Sequence, residues 1–299
     1  TRSWMSVADE HEICCLALRQ VTGCTLVGGD DCVLFDALLG ELFPAAKIED
    51  NFTRNEDDPL HREHLQITLR SYFESEKSTL HKCPKLVEKA VQLCNAATLG
   101  SSNVGRCRCV GIVIVGPAAS GKSEVRKELL VALNNTTSAG QHKEVATINP
   151  KTMHTGQLYG KRDSRNEWSD GIFTKALRRA NVAAAAAVVH AREAAPTVVQ
   201  GANINGDKLA GSTWITMDGA IDSSWTDRLD TIFDEFQQRF VLTTGEQIEV
   251  HRHVRICFET DTLQRLSPST ASRLSIVHVP TLDGDLGSSR DTLWNSVLE

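Results

Sequence analysis

Apolar residues recur at helical spacing along the first hundred positions of the chain. Leu34, Leu38 and Leu42 follow one another every four residues, after an acidic pair suited to a helix start and before a proline at position 44. Two further helices are predicted by stripes of the same kind, which comprise Leu65, Leu69, Tyr72 and Phe73, and then Leu86, Val87, Ala90, Val91, Leu93 and Cys94 behind Pro84. We interpret all three stripes as faces that pack into a core, and the polar stretch 48–59 as an exposed loop.

A different pattern begins at Val110. The run VGIVIV is rich in β-branched residues and ends at a glycine, which predicts a buried parallel strand. Strand-like runs then alternate with helical ones in the order EVATINP, DGIFTKALRRAN, STWITMD, DSSWTDRLDTIFDEF and VRICFET. This alternation predicts an α/β layered domain with a parallel sheet.

Three segments interrupt or extend that alternation. FVLTTGEQIEV, at 240–250, has a glycine between two apolar runs and predicts a β-hairpin. The alanine-rich stretch 183–195 is expected to extend the preceding helix, and the polar stretch 196–212 is expected to be a surface loop.

Composition narrows the class of protein. The chain has 299 residues, of which 41% are hydrophobic and 23% charged, and this is typical of a globular protein with a full core. The net charge of −6 argues against a broad nucleic-acid surface, and no apolar run approaches the roughly 20 residues of a membrane span. We therefore expect neither nucleic acid nor membrane as a partner. Because the chain begins at Thr1, we expect it to be a piece of something longer.

The nine cysteines give no sign of a metal site. Their number is odd, and the pair Cys107/Cys109 lacks the second pair of ligands that a structural zinc site needs. Reduced and partly buried thiols in a cytosolic compartment explain the set better.

The segment GPAASGKS, at 116–123, matches the phosphate-binding pattern G-x-x-x-x-G-K-[S/T] at every fixed position. Two glycines allow the backbone to curl so that successive N–H groups face an anion. The lysine supplies a positive charge for the β- and γ-phosphates, and the serine hydroxyl can bind Mg²⁺. A buried strand precedes the motif and an amphipathic helix follows it, which is the required context. We predict a nucleotide site formed by Gly116, Pro117, Ala118, Ala119, Ser120, Gly121, Lys122, Ser123 and Glu124.

Asp218 ends the apolar run WITMD, where a carboxylate can hold the Mg²⁺ shell, usually through water. A helix-capping role is the alternative for this residue. The next residue is Gly219, at the position where a glutamate would activate the attacking water. A positioned base contributes about 10²–10⁴ in rate, so its loss predicts a site that holds a nucleotide without hydrolysing it. Glu259 and Asp222 are the nearest substitutes, and neither is expected to have suitable geometry.

Several stretches together resemble the second AAA+ module of the dynein heavy-chain motor ring. They are INPKTM (148–153), QLYG (157–160), EWSDGIF (167–173), WITMDGAID (214–222), Trp225, the predicted hairpin, VRICFET (254–260) and SPSTASR (267–273). The resemblance covers residues 105–280. The stretch VLFDALLGELFPA, at 33–45, is similar to the segment that joins this module to the first one.

The resemblance implies an AAA+ P-loop NTPase fold, with a parallel five-stranded sheet between helices and a helical lid after it. It implies three parts: a helical lead-in over 1–100, the nucleotide-binding core over 101–281, and the start of a truncated lid over 282–299. The segment 183–212 is longer than the family pattern, which leaves its chain path open.

The resemblance also implies roles for individual residues. Lys122 and Ser123 match the P-loop pair, and Asp218 matches the metal-binding aspartate of the family. Glu259 falls at the end of the strand where active AAA+ modules place a polar sensor residue. Arg273 matches the arginine that points at the nucleotide of the neighbouring module, so it would be catalytic in trans; a salt bridge within the module is the alternative. Ser123 and Asp218 are the expected metal residues.

Three functions follow as hypotheses. The first is an ATP- or ADP-Mg²⁺-binding, non-hydrolysing module of a dynein heavy chain. Its partners would be the adjacent AAA+ modules, other dynein subunits and, through the whole motor, microtubules, and its location the cytoplasm and cytoskeleton. We expect an axonemal parent in a cilium or flagellum, because axonemal dyneins are the more numerous. The second is a free-standing P-loop NTPase or small-molecule kinase, and the third is a scaffold without nucleotide.

Overall fold

The computed structural model describes residues 29–44, 62–75, 78–99, 111–136, 141–194, 211–234 and 237–280, with isolated helical positions at 11, 14, 15, 18 and 22. The predicted loop at 48–59, residues 196–210 of the second predicted loop, and the segment 282–299 lie outside the described residues. None of the described helices combines the length and apolar character that crossing a membrane requires.

Helices account for much of the described chain. They are α1 (Gly29–Leu42), α2 (Arg62–Glu74), α3 (Pro84–Leu99), α4 (Lys122–Thr136), α5 (Thr155–Leu158), α6 (Ile172–Ala194), α7 (Ser223–Thr226), α8 (Asp230–Phe233) and α9 (Pro268–Ala271). Single 3₁₀ turns lie at Thr79–Lys82, Pro150–Thr152 and Asp227–Leu229. The predicted extension of α6 through the alanine-rich stretch is confirmed to Ala194.

The strands form one five-stranded sheet and two small hairpins. They are β1 (Gly111–Val115), β2 (Lys143–Ile148), β3 (Gly160–Arg162), β4 (Trp168–Asp170), β5 (Thr213–Asp218), β6 (Arg239–Val241), β7 (Gln247–Glu249), β8 (Val254–Thr260) and β9 (Ser275–His278). The large sheet has the order β2-β5-β8-β1-β9, and all its pairings are parallel. The predicted parallel sheet and the predicted hairpin, β6–β7, are confirmed.

Alternate side chains of the sheet enter two separate cores, because successive strand residues point to opposite faces. On β1, Val113 and Val115 join the core beneath α6, while Ile112 and Ile114 join the core beneath α4. Both faces of the sheet are therefore covered, as parallel sheets require.

The second core includes helices from the predicted lead-in. Phe73 of α2 and Leu86 of α3 are buried together with Leu129 of α4 and with Trp214 of the sheet. The stripes predicted on α2 and α3 thus pack into a core at every position whose side chain the structure describes, which excludes Leu65. Helices α2, α3 and α4 cover the same face of the sheet.

The stripe on α1 behaves differently from the prediction. Leu34, Leu38 and Leu42 are 61%, 47% and 67% exposed, so the interpretation of this stripe as core packing is wrong for the described chain. Leu39 is buried instead. The helix also begins at Gly29, so the acidic pair lies in its first turn rather than before it.

The run DSSWTDRLDTIFDEF, at 222–236, predicts one helix, but in the structure α7, a 3₁₀ turn and α8 follow one another over 223–233. Trp225, Leu229, Ile232 and Phe233 are all buried in the same core. Their spacing of i, i+4, i+7 and i+8 is that of a single helical face, so the same apolar face is kept although the helix is broken.

Candidate nucleotide site

The phosphate-binding motif lies at the carboxyl end of β1, an interior strand of the sheet between β8 and β9. A Cβ atom added to Gly116 would stand 2.2 Å from the Val279 carbonyl oxygen, so only glycine fits against that backbone. Gly121 has a φ of +90° and Ala119 a φ of +61°, both in the left-handed region. The loop therefore has the tight curl that its glycines predict.

The curl leaves a row of backbone donors unused. Among the described residues, the N–H groups from Ala118 to Ser123 meet no protein acceptor. The loop leads directly into α4, a helix of 15 residues whose N-terminal end carries partial positive charge. Successive free N–H groups at such an end form a cradle for an anion.

Lys122 spans the same loop. Its Nζ donates to the carbonyl oxygens of Gly116 and Pro117, each at 2.6 Å, and lies 3.1 Å from Oδ1 of Asp261. These contacts hold the ammonium group over the cradle, where it adds a full charge to the partial charges of the backbone.

Ser123 is tied to the predicted sensor residue. Its hydroxyl donates to Oε2 of Glu259, while Arg126 donates from Nε to Oε1 of the same carboxylate. Glu259 and Arg126 are both almost fully buried, and Nη1 of Arg126 reaches Oε1 of Glu144 at 2.6 Å. A chain of charge-assisted hydrogen bonds thus runs from the loop through β8 to β2.

Electrostatics keep two members of this network, Arg126 and Glu144, charged. Burial alone would lower the pKa of the Arg126 guanidinium, but hydrogen bonds and charge from Glu259, joined by Glu144, raise it. Burial likewise acts to raise the pKa of Glu144, yet hydrogen bonds from its neighbours and the charge of Arg126 outweigh this and lower it. Both groups are therefore ionised near neutral pH.

Asp218 lies at the end of β5, in register with Glu259 of the neighbouring strand. Its side chain is exposed and, within the described residues, makes no hydrogen bond or ion pair. Gly219 follows with a φ of +153°, and its N–H donates to the Glu259 carbonyl at 3.0 Å. The two strand ends thus bring the predicted metal-binding carboxylate and the predicted sensor residue side by side.

The two candidate substitutes for the missing base are engaged elsewhere. Asp222 caps α7, where it accepts from the Ser224 N–H at 2.9 Å and lies 3.6 Å from Arg265. The hydrogen bonds from Ser224 lower the pKa of Asp222, which suits a cap. Both carboxylate oxygens of Glu259 are also occupied, as described above. Both acids thus already serve structural partners, Asp222 as a helix cap and Glu259 as an acceptor for Ser123 and Arg126.

The lead-in reaches the site directly. Thr79 donates to Oε1 of Glu124 at 2.9 Å, and Ser78 to Oε2 of Glu128 at 3.0 Å, both on α4. Leu86 of α3 lies over the loop, with its Cδ1 atom 3.3 Å from the position of a Cβ on Gly121. The Glu124 side chain, predicted to be part of the nucleotide site, therefore faces the lead-in.

Arg273, the predicted in-trans residue, lies after α9 and contacts its own module. Its Nη1 donates to the Asp230 carbonyl at 3.2 Å, and its Nη2 lies 3.7 Å from Oδ2 of Asp234. The Asp230 carboxylate in turn accepts from the Thr270 hydroxyl at 2.6 Å, which fixes α9 against α8. The side chain is 34% exposed, so Arg273 is anchored within its own module and remains partly exposed.

The residues present fit a nucleotide with Mg²⁺. The unused N–H row and Lys122 suit phosphate oxygens, and the Ser123 hydroxyl and the Asp218 carboxylate are oxygen ligands of the kind Mg²⁺ takes. Among the described residues no group of three or more His, Cys, Asp or Glu could hold a metal ion by itself. Mg²⁺ does not require such a group, because it usually takes most of its ligands from substrate phosphates and water.

Arg126 is a residue of the site that the sequence did not predict. Arg126 lies within the apolar stripe of α4. It is three residues before Leu129, four before Leu130 and seven before Leu133. A charged residue within an apolar stripe is itself a signal of a buried partner. The partner could not be identified, because Glu259 is distant in sequence and adjacent only through the sheet order.

Comparisons with known proteins place these features in a family. A sequence profile described as AAA domain (dynein-related subfamily) matches residues 111–274. Cytoplasmic dynein 2 heavy chain 1 of Homo sapiens is 30% identical over 94% of this chain, which corresponds to 5% of that protein. The dynein gamma chain of the flagellar outer arm of Chlamydomonas reinhardtii is 27% identical over 85% of this chain and 5% of its own length. Dynein axonemal heavy chain 1 of Homo sapiens is 26% identical over 91% of this chain and 6% of its own length.

Proposed function

Because the chain belongs to the dynein-related subfamily of AAA domains, we propose that it is an ATP- or ADP-Mg²⁺-binding module of a dynein heavy chain that holds its nucleotide without hydrolysing it. AAA domains are nucleotide-binding modules as a family. The chain spans about one twentieth of the length of the curated relatives it matches, so the activity and partners of a whole motor belong to this proposal. The stretches that carry the resemblance, from INPKTM to SPSTASR, favour the second AAA+ module of the dynein motor ring.

The observation that carries the proposal is the contrast between the two halves of the site. The phosphate half is complete, with its curled loop, unused N–H groups and Lys122. The hydrolytic half ends in Gly219, and the two nearest acids, Asp222 and Glu259, are engaged in other bonds. A site built in this way binds phosphates but has no base to deprotonate water.

Each residue of the loop would act on a defined part of the ligand. The N–H groups of the loop would bind phosphate oxygens, and Lys122 would leave the Gly116 and Pro117 carbonyls to contact the terminal phosphates. Ser123 and, through water, Asp218 would hold the metal. Bound Mg²⁺ would offset phosphate charge and fix the phosphate geometry. A ligand at about 100 times its dissociation constant stabilises a fold by roughly 2.7 kcal/mol, so nucleotide would serve as a structural element.

Within the ring, the module would act on its neighbours. We propose that Arg273 serves the hydrolytic site of the adjacent module, that the adjacent modules and other dynein subunits are its partners, and that the whole motor moves on microtubules. The names of the relatives, which include cytoplasmic dynein 2, a flagellar outer arm chain and an axonemal chain, support a cytoskeletal location in a cilium or flagellum.

A single experiment tests the nucleotide proposal. The purified chain is denatured, and the released nucleotide is identified by chromatography. The same preparation is assayed for turnover of added ATP. Bound ATP without turnover supports the proposal. Bound ADP with sustained turnover shows that another carboxylate acts as base, and it would favour the P-loop enzyme alternative. If the chain had no affinity for ATP or ADP, the remaining hypothesis would be a scaffold without nucleotide.

A further inference from the structure

The Ser123 hydroxyl has one proton and two lone pairs, and the structure shows where the proton goes. It points to Oε2 of Glu259, a carboxylate that is only 2% exposed. Once its proton is committed, a hydroxyl can offer only lone pairs to a further partner. The bond to Glu259 therefore presents the oxygen of Ser123 as a ligand rather than as a donor.

We infer that Glu259 is the outer carboxylate that orients the Ser123 hydroxyl for Mg²⁺, and that Arg126 is the positioning residue that holds Glu259 in this role. The inference rests on the proposed function, because it concerns how the same site holds its metal. Asp218 does not fill this role, since its exposed carboxylate makes no contact with Ser123. Asp218 remains available to the water shell of the metal.

Arg126 is held from two sides, which fixes the carboxylate it holds. Its Nε donates to Oε1 of Glu259 and its Nη1 to Oε1 of Glu144 at 2.6 Å, while its side chain is only 3% exposed. A planar guanidinium between two carboxylates has little rotational freedom. Oε1 of Glu259 is thereby occupied, and Oε2 faces the hydroxyl of Ser123.

The charge of Arg126 matters as well as its shape. Its bond to Glu259 joins two ionised groups and is therefore charge-assisted, so a neutral side chain at position 126 would hold the carboxylate less firmly. Arg126 therefore acts on the metal through Glu259, although it does not itself touch the ligand position.

The test measures metal binding separately from nucleotide binding. ADP affinity of the 299-residue chain is measured in EDTA and then as Mg²⁺ is added, which gives the Mg²⁺ concentration for half-maximal tightening. The variants are E259Q, E259D, R126Q and R126K. E259D keeps the charge but withdraws the carboxylate from one of its two partners. S123A removes the ligand itself, and K127Q removes an exposed cation from the next position of α4 as a matched control.

We expect E259Q, E259D and R126Q to need about tenfold more Mg²⁺ or more, which is the usual effect of losing an outer-shell partner. R126K should lie between R126Q and the unsubstituted chain, because lysine restores the charge and one of the two bonds. S123A should lose the Mg²⁺ effect, and K127Q should keep it unchanged. The ADP affinity of each variant in EDTA serves as its own baseline, so the effect of Mg²⁺ is the ratio of two affinities of the same variant.

Thermal midpoints of the ligand-free variants separate this role from a purely structural one. The inference would be overturned if R126K and E259D had lower thermal midpoints but an unchanged Mg²⁺ requirement. The network would then only stabilise the fold. These two charge-conserving variants carry the test if the glutamine variants do not fold. If the unsubstituted chain bound no ADP, either in EDTA or with Mg²⁺, the proposed function itself would be refuted.

Discussion

Oδ1 of Asn149 lies 3.1 Å from the place where a Cβ atom would stand on Gly219. Asn149 is itself held in place, because the same Oδ1 accepts from the Lys151 N–H at 3.1 Å and begins a 3₁₀ turn. The backbone at Gly219 has a φ of +153°, which side-chain-bearing residues rarely adopt. The missing glutamate is therefore accompanied by a backbone that disfavours any side chain.

Restoring the glutamate should consequently not restore hydrolysis. We expect G219E to show no ATP turnover above background. Its free energy of unfolding should be lower by about 1–3 kcal/mol, the usual cost of a strained backbone conformation. G219A is the control, because it introduces the same strain without a carboxylate. ATP turnover by G219E and not by G219A would show that the site needs only a base.

Replacement of Lys122 by alanine should abolish nucleotide binding. The substitution removes the charge over the phosphate cradle and the bonds to the Gly116 and Pro117 carbonyls. The stabilisation of roughly 2.7 kcal/mol expected from saturating Mg²⁺-ADP should then vanish from thermal unfolding curves. Lys127→Ala, at an exposed position of the same helix, should retain it. Unchanged ADP affinity in K122A would contradict the site assignment.

Arg273 can be tested only in a full heavy chain, because its proposed substrate lies in another module. We expect R273A to lower ATP turnover by the ring about 10³-fold or more, as the loss of an arginine finger does. D234N is a suitable control, because it alters the 3.7 Å ion pair within the module but leaves the guanidinium in place. Normal turnover in R273A, with only reduced thermal stability, would mean that the arginine serves the internal salt bridge.

His142 should make the fold sensitive to mild acid. Burial, followed by the charge of Arg255, lowers its pKa to about 4 from an ordinary 6.5. The neutral ring accepts from the Ser212 N–H at 3.1 Å, a bond that protonation would remove. Because the folded pKa is depressed, the stabilisation is complete above pH 6.5 and is lost as pH falls towards 4.

The measurement is the free energy of unfolding by denaturant at pH 7 and pH 5. The unsubstituted chain should lose about 2 kcal/mol more over this interval than H142N. Asparagine is the matched replacement because its Oδ1 can accept the same bond from Ser212 without titrating. Equal losses in the two chains would show that the ring is not held neutral.

The lead-in should be required for the stability of the nucleotide-binding core. Leu86 is buried between α3 and the phosphate-binding loop, so L86A should cost about 2–5 kcal/mol in the free energy of unfolding. Ile67, on the neighbouring lead-in helix α2, is 56% exposed, and I67A should change stability by about 0.5 kcal/mol or less. Comparable small effects from both substitutions would mean that the core folds independently of α3.

The sequence predicted the elements whose patterns are local. β1, β2, β5 and β8 are short apolar runs with clear ends, α6 has a long periodic stripe, and the β6–β7 hairpin has its glycine turn. The β3–β4 hairpin was not predicted, because three-residue strands carry too little alternation to be seen. The exposed stripe of α1 shows the other limit, since periodicity reveals an apolar face but not what covers it.

The part of the site that lies within one short segment could be predicted from the sequence. The loop, Lys122 and Ser123 lie together in eight residues, and Asp218 ends a recognisable strand. The network of Arg126, Glu259 and Glu144 joins α4, β8 and β2. It depends on β8 lying between β1 and β5, and no local pattern encodes that order.

The position of β1 in the sheet has a consequence for how the chain acquires its fold. β1 is flanked by β8 and β9, the last two strands of the sheet in sequence. While the chain is being synthesised, the apolar strand GIVIV is complete long before either neighbour exists. Such non-local pairing slows folding and leaves an unpaired hydrophobic edge open to other chains. The phosphate-binding loop can take its shape only when residues 254–278 have been synthesised, so a ribosome-bound chain would expose this apolar strand until that point.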